Sequence, residues 1–322
     1  MLKSVFLEVT RKCNMNCLFC SNPSRKALSQ ELSKNEFLSI ISSLHNFGIT
    51  DLRFYGGEPF LYPDVFEIIT KARDYGVAVS IYTNGTILDE QILDNLKGNQ
   101  VRKLFLSVDS HRAEVNDKIR GVGGGFEQVI TNIQTLVNAG LVIDVLFTIC
   151  RLNKDDIEET YHLLHSLGVN DVKANFVSKV GKAKENWNQL SLTASELKQC
   201  MFEINKTHFA LFGRSPVRKR CQAATEEIFI AANGDVFPCA LFLEPEYLAG
   251  NLKQKSLQEI WNNPGGLFGQ LRDIISNKKY CKSCNRKEDC GGGCRARAVA
   301  MSNGNLLASD PSSCIFHKEV LK

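Results

Sequence analysis

The chain has 322 residues, 43% of them hydrophobic and 23% charged, which is the composition of an ordinary globular protein with a sizeable core. Its net charge of +4 is too small to indicate nucleic-acid binding, and no apolar run is long enough to span a bilayer. The N-terminus runs into a strand pattern without a signal peptide, so the twelve cysteines favour metal binding in a reducing cytoplasm over disulfides.

Three cysteines stand close together near the start of the chain. Cys13, Cys17 and Cys20 follow the apolar strand pattern of residues 4–9. Thiolates at such spacing can hold an iron–sulfur cluster, which normally takes four cysteines. A loop with three cysteines leaves one iron open, and a substrate can bind at an open metal position. A zinc knuckle without its fourth ligand, or three incidental thiols, is the alternative.

Strand and helix patterns alternate six times before residue 177. We predict strands at residues 4–9, 51–55, 77–82, 103–108, 142–149 and 171–176. The helices of this alternation are predicted from a capping box at Ser33 and Glu36, and at residues 63–75, 89–96, 126–139 and 154–167. A further helix is predicted at residues 197–212, after the alternation ends. This alternation implies an α/β fold with a parallel sheet. Six units are too few for a closed eight-stranded barrel.

Short polar or glycine-containing segments follow these strands, where functional groups of parallel α/β folds lie. They are the cysteine loop, Gly56-Gly57-Glu58-Pro59, Thr83-Asn84-Gly85, Ser107-Val108-Asp109 and residues 148–153. Each segment alone is also consistent with an ordinary turn or cap. Their repeated position at strand ends predicts one shared site.

The cysteine spacing, with Phe19 before the last thiol, resembles that of the radical S-adenosylmethionine (radical SAM) enzymes. The resemblance implies a partial (β/α)6 barrel over residues 1–190, whose open side admits a large substrate. It also implies a [4Fe–4S] cluster on Cys13, Cys17 and Cys20 whose open iron chelates S-adenosylmethionine. Reductive cleavage would then give a 5′-deoxyadenosyl radical that abstracts a hydrogen atom from substrate.

The same resemblance implies which residues bind S-adenosylmethionine. Gly56-Gly57-Glu58-Pro59 resembles the motif for the amino group, and the later strand ends resemble the positions that contact the methionyl and ribose groups. Arg120 and Asn153 are further candidates, for the carboxylate and the ribose. The full candidate set is Phe19, Gly56, Gly57, Glu58, Pro59, Thr83, Asn84, Ser107, Asp109, Arg120 and Asn153. Spacing singles out no general acid or base.

Seven further cysteines follow a helical and basic linker, residues 191–220. Twelve residues separate Cys221 from Gly234 and four separate Gly234 from Cys239, with a hairpin signal at Asn233-Gly234. The others are Cys281, Cys284, Cys290, Cys294 and Cys314. The series resembles the SPASM domain, which implies that residues 221–322 form a small cysteine-rich domain with a β-hairpin and short helices.

The SPASM resemblance implies two auxiliary [4Fe–4S] clusters, and hence three clusters in all. The first would use Cys221, Cys239 and Cys294, and the second Cys281, Cys284, Cys290 and Cys314. Zinc at the C-x-x-C-like pairs is the alternative. Residues 222–227 contain no cysteine, so the fourth position of the first cluster is expected to be open or filled by Glu226 or Glu227.

Three other positions refine this interpretation. Cys150 and Cys200 fall outside both patterns, and a free cysteine usually behaves as a small core hydrophobe. Ala240 stands where sulfatase-modifying relatives carry an aspartate base, which argues against that reaction.

These features predict a radical SAM oxidoreductase or maturase. The leading hypothesis is that it modifies a ribosomally synthesised peptide by crosslinking, oxidation or epimerisation. The alternative is a small-molecule oxidoreductase that acts on a sugar, an aminoglycoside or a tetrapyrrole. A non-enzymatic iron–sulfur or zinc scaffold would not need the S-adenosylmethionine motifs.

The resemblance also implies partners. An electron donor such as flavodoxin or ferredoxin would reduce the cluster. Because only twelve residues precede Cys13, leader-peptide recognition is expected to require a separate protein. We expect a cytoplasmic enzyme that contacts neither nucleic acid nor membrane.

Overall fold

A computed structural model describes residues 2–22, 28, 30–215, 220–277, 281, 284, 287–290 and 292–319 of the chain. Residues 216–219 of the predicted basic linker lie outside this range. The strands are β1 (Ser4–Glu8), β2 (Asp51–Tyr55), β3 (Ala78–Tyr82), β4 (Lys103–Ser107), β5 (Ile143–Ile149), β6 (Asp171–Phe176), β7 (Glu227–Ile230), β8 (Asp235–Phe237) and β9 (Gly250–Asn251).

The helices alternate with the first six strands and then dominate the C-terminal part. They are α1 (Lys34–Phe47), α2 (Val65–Asp74), α3 (Glu90–Gly98), α4 (Ala113–Arg120), α5 (Gly125–Asn138), α6 (Ile157–Ser166), α7 (Trp187–Leu190), α8 (Ala194–Phe212), α9 (Leu257–Asn262), α10 (Leu267–Asn277), α11 (Lys287–Cys290), α12 (Arg295–Ala300) and α13 (Pro311–Glu319). Within the described chain, no helix has the length and apolarity needed to cross a membrane.

Helix α1 shows how the sequence produces these elements. The Ser33 hydroxyl accepts from the backbone N–H of Glu36, whose carboxylate accepts in return from the Ser33 N–H, so the predicted capping box is confirmed. Gly48 ends the helix in the left-handed conformation. The buried face is Phe37, Ile40, Ile41 and Leu44, at helical spacing, and it packs in the main core.

The first six strands form the predicted parallel sheet. They lie side by side in chain order, with Leu7 opposite Phe54 in the first pair and Val145 opposite Val172 in the last. Strand β6 is at one edge, so the barrel is open. The prediction of a partial (β/α)6 barrel is confirmed.

The two faces of this sheet carry different side chains. Val5 and Leu7 alternate with Phe6, and only the first two belong to the core that the helices cover. The opposite, concave face carries an aromatic floor, which comprises Phe6, Tyr55, Tyr82, Phe105 and Phe229. The Tyr82 and Phe105 rings stack with centroids 4.3 Å apart, and Tyr55 meets Phe229 edge-on at 5.7 Å.

The C-terminal hairpin continues the barrel sheet. Strand β7 pairs in parallel with β1, with Val5 opposite Ile228, and β8 and β9 add antiparallel strands beyond it. The predicted hairpin at Asn233-Gly234 is present, and Gly234 has the positive φ of 91° that such a turn requires. Its attachment to β1 was not predicted. The sheet order is therefore β6-β5-β4-β3-β2-β1-β7-β8-β9.

Candidate active site and cysteine sets

The N-terminal thiols lie together in the loop that follows β1. Cys13, Cys17 and Cys20 are each half-buried. Burial, together with the neighbouring charges of Cys17 and Cys13, raises the pKa of Cys20 to about 12. Burial also raises the pKa of Cys13, with Cys17 acting in the same direction. Three thiolates held this close require a compensating cation, which bound iron would supply, so the donor set fits a cluster.

Asn14 and Asn16, which lie between these cysteines, each make side-chain hydrogen bonds. Asn14 accepts from the Asn84 amide at 2.7 Å and donates to the Thr86 hydroxyl at 2.9 Å. Asn16 accepts from the Lys182 ammonium at 2.6 Å. These side-chain bonds fix the loop to the segments that follow β3 and β6. Neither Asn14 nor Lys182 was predicted. Only the presence of amides inside a cysteine motif hinted at such a role.

Gly56 and Gly57 bring the segment after β2 against the cysteine loop. The Gly57 N–H donates to the Thr10 carbonyl at 2.8 Å, and the Glu58 N–H donates to the Lys12 carbonyl at 2.7 Å. A Cβ on Gly57 would lie 2.1 Å from the Lys12 carbonyl oxygen. These glycines therefore permit backbone contact with the cysteine loop, in addition to any contact with a ligand.

Glu58 is completely buried and organises the next strand end. Its carboxylate accepts from the Thr83 hydroxyl and the Asn84 N–H, both at 2.8 Å, and from the Phe60 N–H at 3.3 Å. Burial raises the pKa of Glu58 to about 7, and these hydrogen bonds oppose the shift. Its carboxylate thus positions Thr83 and Asn84. Pro59 begins a short 3₁₀ helix and is buried.

Asp109 and Arg120 form a buried ion pair beside the cysteine loop. The Arg120 Nε lies 2.6 Å from the Asp109 Oδ2, and Asp109 also accepts from the Thr148 N–H at 2.8 Å. Arg120 Nη1 lies 3.8 Å from the Cys17 sulfur, and its guanidinium stands 5.5 Å from the Phe19 ring centre. Arg120 therefore contacts the predicted cluster loop.

Asn153 and Ser107 occupy the remaining predicted strand-end positions. Asn153 is completely buried, donates to the Asp109 carbonyl at 2.7 Å and accepts from the Cys150 N–H at 2.8 Å. The Asn153 amide therefore stabilises the loop after β5. Its contact with a ribose stays a prediction. Ser107 is half-buried at the end of β4.

Glu8, which was not predicted, links the cysteine loop to the C-terminal hairpin. Its fully buried carboxylate pairs with Arg11 at 3.3 Å, accepts from the Asn22 amide, and accepts from the Ala232 N–H at 3.0 Å. A glutamate at the end of an apolar strand was the available signal.

The C-terminal cysteines influence one another in the two sets that the SPASM resemblance implies. Burial, and after it the charge of Cys294, raises the pKa of Cys221 to about 11. The pKa of Cys239 is likewise raised, first by burial and then by the charges of Cys294 and Cys221. In the other set, the Cys281 pKa is raised by burial, then by Cys284, Cys314 and Cys290. The grouping matches the expected interleaving, while metal ligation itself stays a prediction.

The two remaining cysteines lie elsewhere. Cys150 packs with Ile119 and Leu190 in a small barrel cluster. Cys200 lies on α8 in the main core, with its sulfur 3.9 Å from the Lys154 carbonyl. Both therefore occupy core positions. Two carboxylates were considered as a fourth ligand. Glu226 accepts a hydrogen bond from the Gln222 amide, whereas the charge of Glu227 contributes to the raised pKa of Cys239.

Comparison with known proteins agrees with this geometry. The family profile described as "Radical SAM superfamily" matches residues 7–164, and the SPASM profile, "Iron-sulfur cluster-binding domain", matches residues 221–286. An AdoMet-dependent heme synthase of Methanosarcina barkeri (strain Fusaro / DSM 804) is 32% identical, covering 96% of this chain and 95% of that protein. A PqqA peptide cyclase of Gluconobacter oxydans (strain 621H) is 27% identical, covering 96% and 89%.

The fold has solved counterparts. Streptococcus suis SuiB bound to precursor peptide SuiA superposes with a TM-score of 0.77 at 16% identity, covering 98% of this chain and 76% of SuiB. The fold and the site together define a radical SAM enzyme. The chain belongs to the radical SAM superfamily and, within it, to the members with a C-terminal SPASM domain. Iron–sulfur clusters and S-adenosylmethionine are accordingly its cofactors.

Proposed function

We propose that this enzyme modifies a ribosomally synthesised peptide by crosslinking, oxidation or epimerisation, using three [4Fe–4S] clusters. The main observation in support of this chemistry is that three thiols and the Gly56-Gly57-Glu58-Pro59 segment lie together where the strands of an open parallel sheet end. The cluster and S-adenosylmethionine, when bound, supply the 5′-deoxyadenosyl radical that abstracts hydrogen. The protein's own residues bind, orient and shield these groups.

Several of the predicted residues would act by holding other groups in place. Glu58 accepts from the Thr83 hydroxyl and the Asn84 N–H, and so would hold Asn84 where its side-chain amide donates to Asn14 of the cysteine loop. Arg120, held by Asp109, offers a buried cation for the carboxylate of S-adenosylmethionine. The buried pair keeps this cation in place before the ligand arrives, which reduces the reorganisation that binding requires.

The aromatic floor lies beside the predicted S-adenosylmethionine segments. Two of its members, Tyr55 and Tyr82, are the last residues of β2 and β3 and directly precede those segments. Burial raises the pKa of Tyr55 to about 12, so this phenol stays neutral. The Arg53 guanidinium stands 4.9 Å from the Phe6 ring centre, so the floor would offer apolar ring surface to a substrate with a cation beside it.

The peptide substrate is supported by relatives. The PqqA peptide cyclase is similar over nearly the whole chain, and SuiB, which shares the fold, was solved with a precursor peptide. The open sheet, with β6 at its edge, gives an extended substrate access to the concave face. A donor such as flavodoxin or ferredoxin, a separate leader-peptide-recognition protein and a cytoplasmic location complete the proposal.

A tetrapyrrole is the second candidate substrate. The relative at 32% identity is a heme synthase, and the two proteins cover 96% and 95% of each other. A flat, carboxylated macrocycle would also suit aromatic rings near an arginine. Sugars and aminoglycosides are the other members of this small-molecule alternative.

The discriminating experiment uses anaerobically reconstituted enzyme with dithionite and S-adenosylmethionine. Synthetic peptides encoded by short reading frames beside the gene are compared with a carboxylated porphyrin. We expect a peptide to increase 5′-deoxyadenosine formation and to emerge crosslinked, oxidised or, in deuterated water, deuterium-labelled at one Cα. Turnover of the porphyrin with no change in any peptide would reject the peptide proposal.

A further inference from the structure

Asp310 bridges the two auxiliary cysteine sets. Its Oδ2 accepts from the Cys294 N–H at 2.9 Å, and its own carbonyl accepts from the Cys314 N–H at 3.0 Å. Cys294 is assigned to the first set and Cys314 to the second. The contact with Cys314 is the first backbone hydrogen bond of α13, which any residue at position 310 would make. The Asp310 side chain is therefore what joins the helix of Cys314 to the loop of Cys294.

A helix-capping role accounts for only part of these contacts. Asp310 precedes α13, and its Oδ1 accepts from the Ser312 N–H at 3.2 Å, as a capping residue would. The other oxygen, Oδ2, points to Cys294 and accepts from the Ser313 hydroxyl at 2.7 Å. Capping α13 does not require the contact with Cys294.

Arg297 fixes the orientation of this carboxylate. Its Nε donates to Asp310 Oδ1 at 2.9 Å and its Nη2 donates to Oδ2 at 2.6 Å, a two-point contact that sets the plane of the carboxylate. Asp310 is only 1% exposed, so the pair is shielded from solvent. Arg297 belongs to α12, directly after Cys294, and so ties the same loop a second time.

Gly293 provides the space for this arrangement. Its φ is +74°, and a Cβ there would lie 2.5 Å from Asp310 Oδ2 and 2.4 Å from the Ser313 hydroxyl oxygen. Both the backbone conformation and the close approach favour glycine. Glycine at the position before Cys294 therefore leaves room for the Asp310 carboxylate.

We propose that Asp310 is a positioning residue that holds the two auxiliary cysteine sets in register, so that each binds its cluster with full occupancy. The inference rests on the auxiliary clusters of the proposed function. Ligands fixed by surrounding hydrogen bonds bind metal more tightly than free ones, and losing such support typically costs 10–100-fold in affinity.

The test compares Asp310→Ser with the wild type. Serine keeps a good cap for α13 but is too short to reach Cys294. The matched control is Asp235→Asn in the same region, whose carboxylate accepts from Asn251 at 2.8 Å in the hairpin turn. Each protein is reconstituted anaerobically and analysed for iron and by electron paramagnetic resonance, and its iron-free form is melted to compare folding.

We expect wild type and Asp235→Asn to carry about twelve irons per chain, and Asp310→Ser about eight or fewer. Two background variants each retain one auxiliary set: Cys221→Ala/Cys239→Ala/Cys294→Ala keeps the second, and Cys281→Ala/Cys284→Ala/Cys290→Ala/Cys314→Ala keeps the first. Adding Asp310→Ser should lower the iron content of both. The N-terminal cluster should keep its spectral response to S-adenosylmethionine. Gly293→Ala should reproduce the loss and add little to it in the double variant.

Four outcomes would overturn the inference. Full iron in Asp310→Ser, or loss confined to one set, would show that Asp310 does not hold both. Loss at the N-terminal site together with a lower melting temperature of the iron-free protein would indicate a general folding role. About four irons in the wild type would reject the auxiliary clusters themselves, which separates that failure from the failure of Asp310.

Discussion

Arg120 places one nitrogen 3.8 Å from the Cys17 sulfur while another lies 2.6 Å from Asp109. A single buried cation therefore joins the predicted cluster loop to the end of β4. Burial raises the pKa of Asp109, and the Arg120 charge opposes this shift, so each charge depends on the other.

Arg120→Gln should accordingly be costly, because it leaves the Asp109 carboxylate buried without its cation. We expect a loss of about 3–5 kcal/mol in the free energy of unfolding of the iron-free protein, measured in urea. Lys206→Gln, which breaks an ion pair with Glu158 that is exposed on both sides, is the control and should cost about 1 kcal/mol or less. Equal losses in the two variants would contradict the role assigned to Arg120.

Glu58 predicts a pH dependence of stability. Its folded pKa of about 7 lies above its ordinary value of 4.5, so between these pH values the folded protein holds a proton that the unfolded chain has released. Stability should therefore fall as pH rises through this window, by on the order of 3 kcal/mol.

Urea unfolding of iron-free protein between pH 4.5 and 8 measures this effect. Glu58→Gln lacks the titrating group, so the difference in unfolding free energy between wild type and variant should shift across the window in the variant's favour. A difference that stays constant with pH would contradict the raised pKa.

The βα order of the barrel could be predicted because each element has a local signal. Apolar runs mark strands, and the Ser33 and Glu36 capping box marks α1. Helix α4 was missed because its sequence, residues 113–120, is mostly polar, and of its three buried residues, Asn116, Ile119 and Arg120, only one is apolar. The Asn233-Gly234 turn predicted the hairpin, but the pairing of β7 with β1 depends on contacts more than 200 residues apart in sequence, as between Val5 and Ile228.

Site residues show the same limit. The proximity of Cys13, Cys17 and Cys20 could be predicted from spacing, since residues of one loop stay close in space, whereas the two interleaved C-terminal sets were predicted only from the SPASM resemblance. The roles of Glu58 and Asn153 were not readable, because a strand-end position does not reveal whether a side chain faces a ligand or its own neighbours. Both turn out to accept or donate hydrogen bonds within the protein.

Gly57→Ala tests the contact between the cysteine loop and the segment after β2. The added methyl would meet the Lys12 carbonyl oxygen at 2.1 Å, so the loop must shift. We expect loss of most iron from the N-terminal site with the auxiliary iron retained. Gly98→Ala, in α3 with no atom within 4 Å of the new methyl, should leave iron unchanged and raise stability slightly.

The auxiliary assignment predicts separable iron losses. Cys221→Ala/Cys239→Ala/Cys294→Ala should remove about four of about twelve irons and leave the spectra of the other clusters intact. Cys150→Ala/Cys200→Ala is the matched control, because both residues lie in the core. Loss of auxiliary iron in the control, or stoichiometric zinc in the wild type, would contradict the assignment.

The central claim is that the radical originates at the loop of Cys13, Cys17 and Cys20. The most direct measurement is 5′-deoxyadenosine formation from S-adenosylmethionine, under dithionite and without oxygen, in the wild type and in Cys13→Ala/Cys17→Ala/Cys20→Ala. We predict steady formation by the wild type and none above background by the variant, with the auxiliary iron retained. Undiminished formation by the variant would contradict the account.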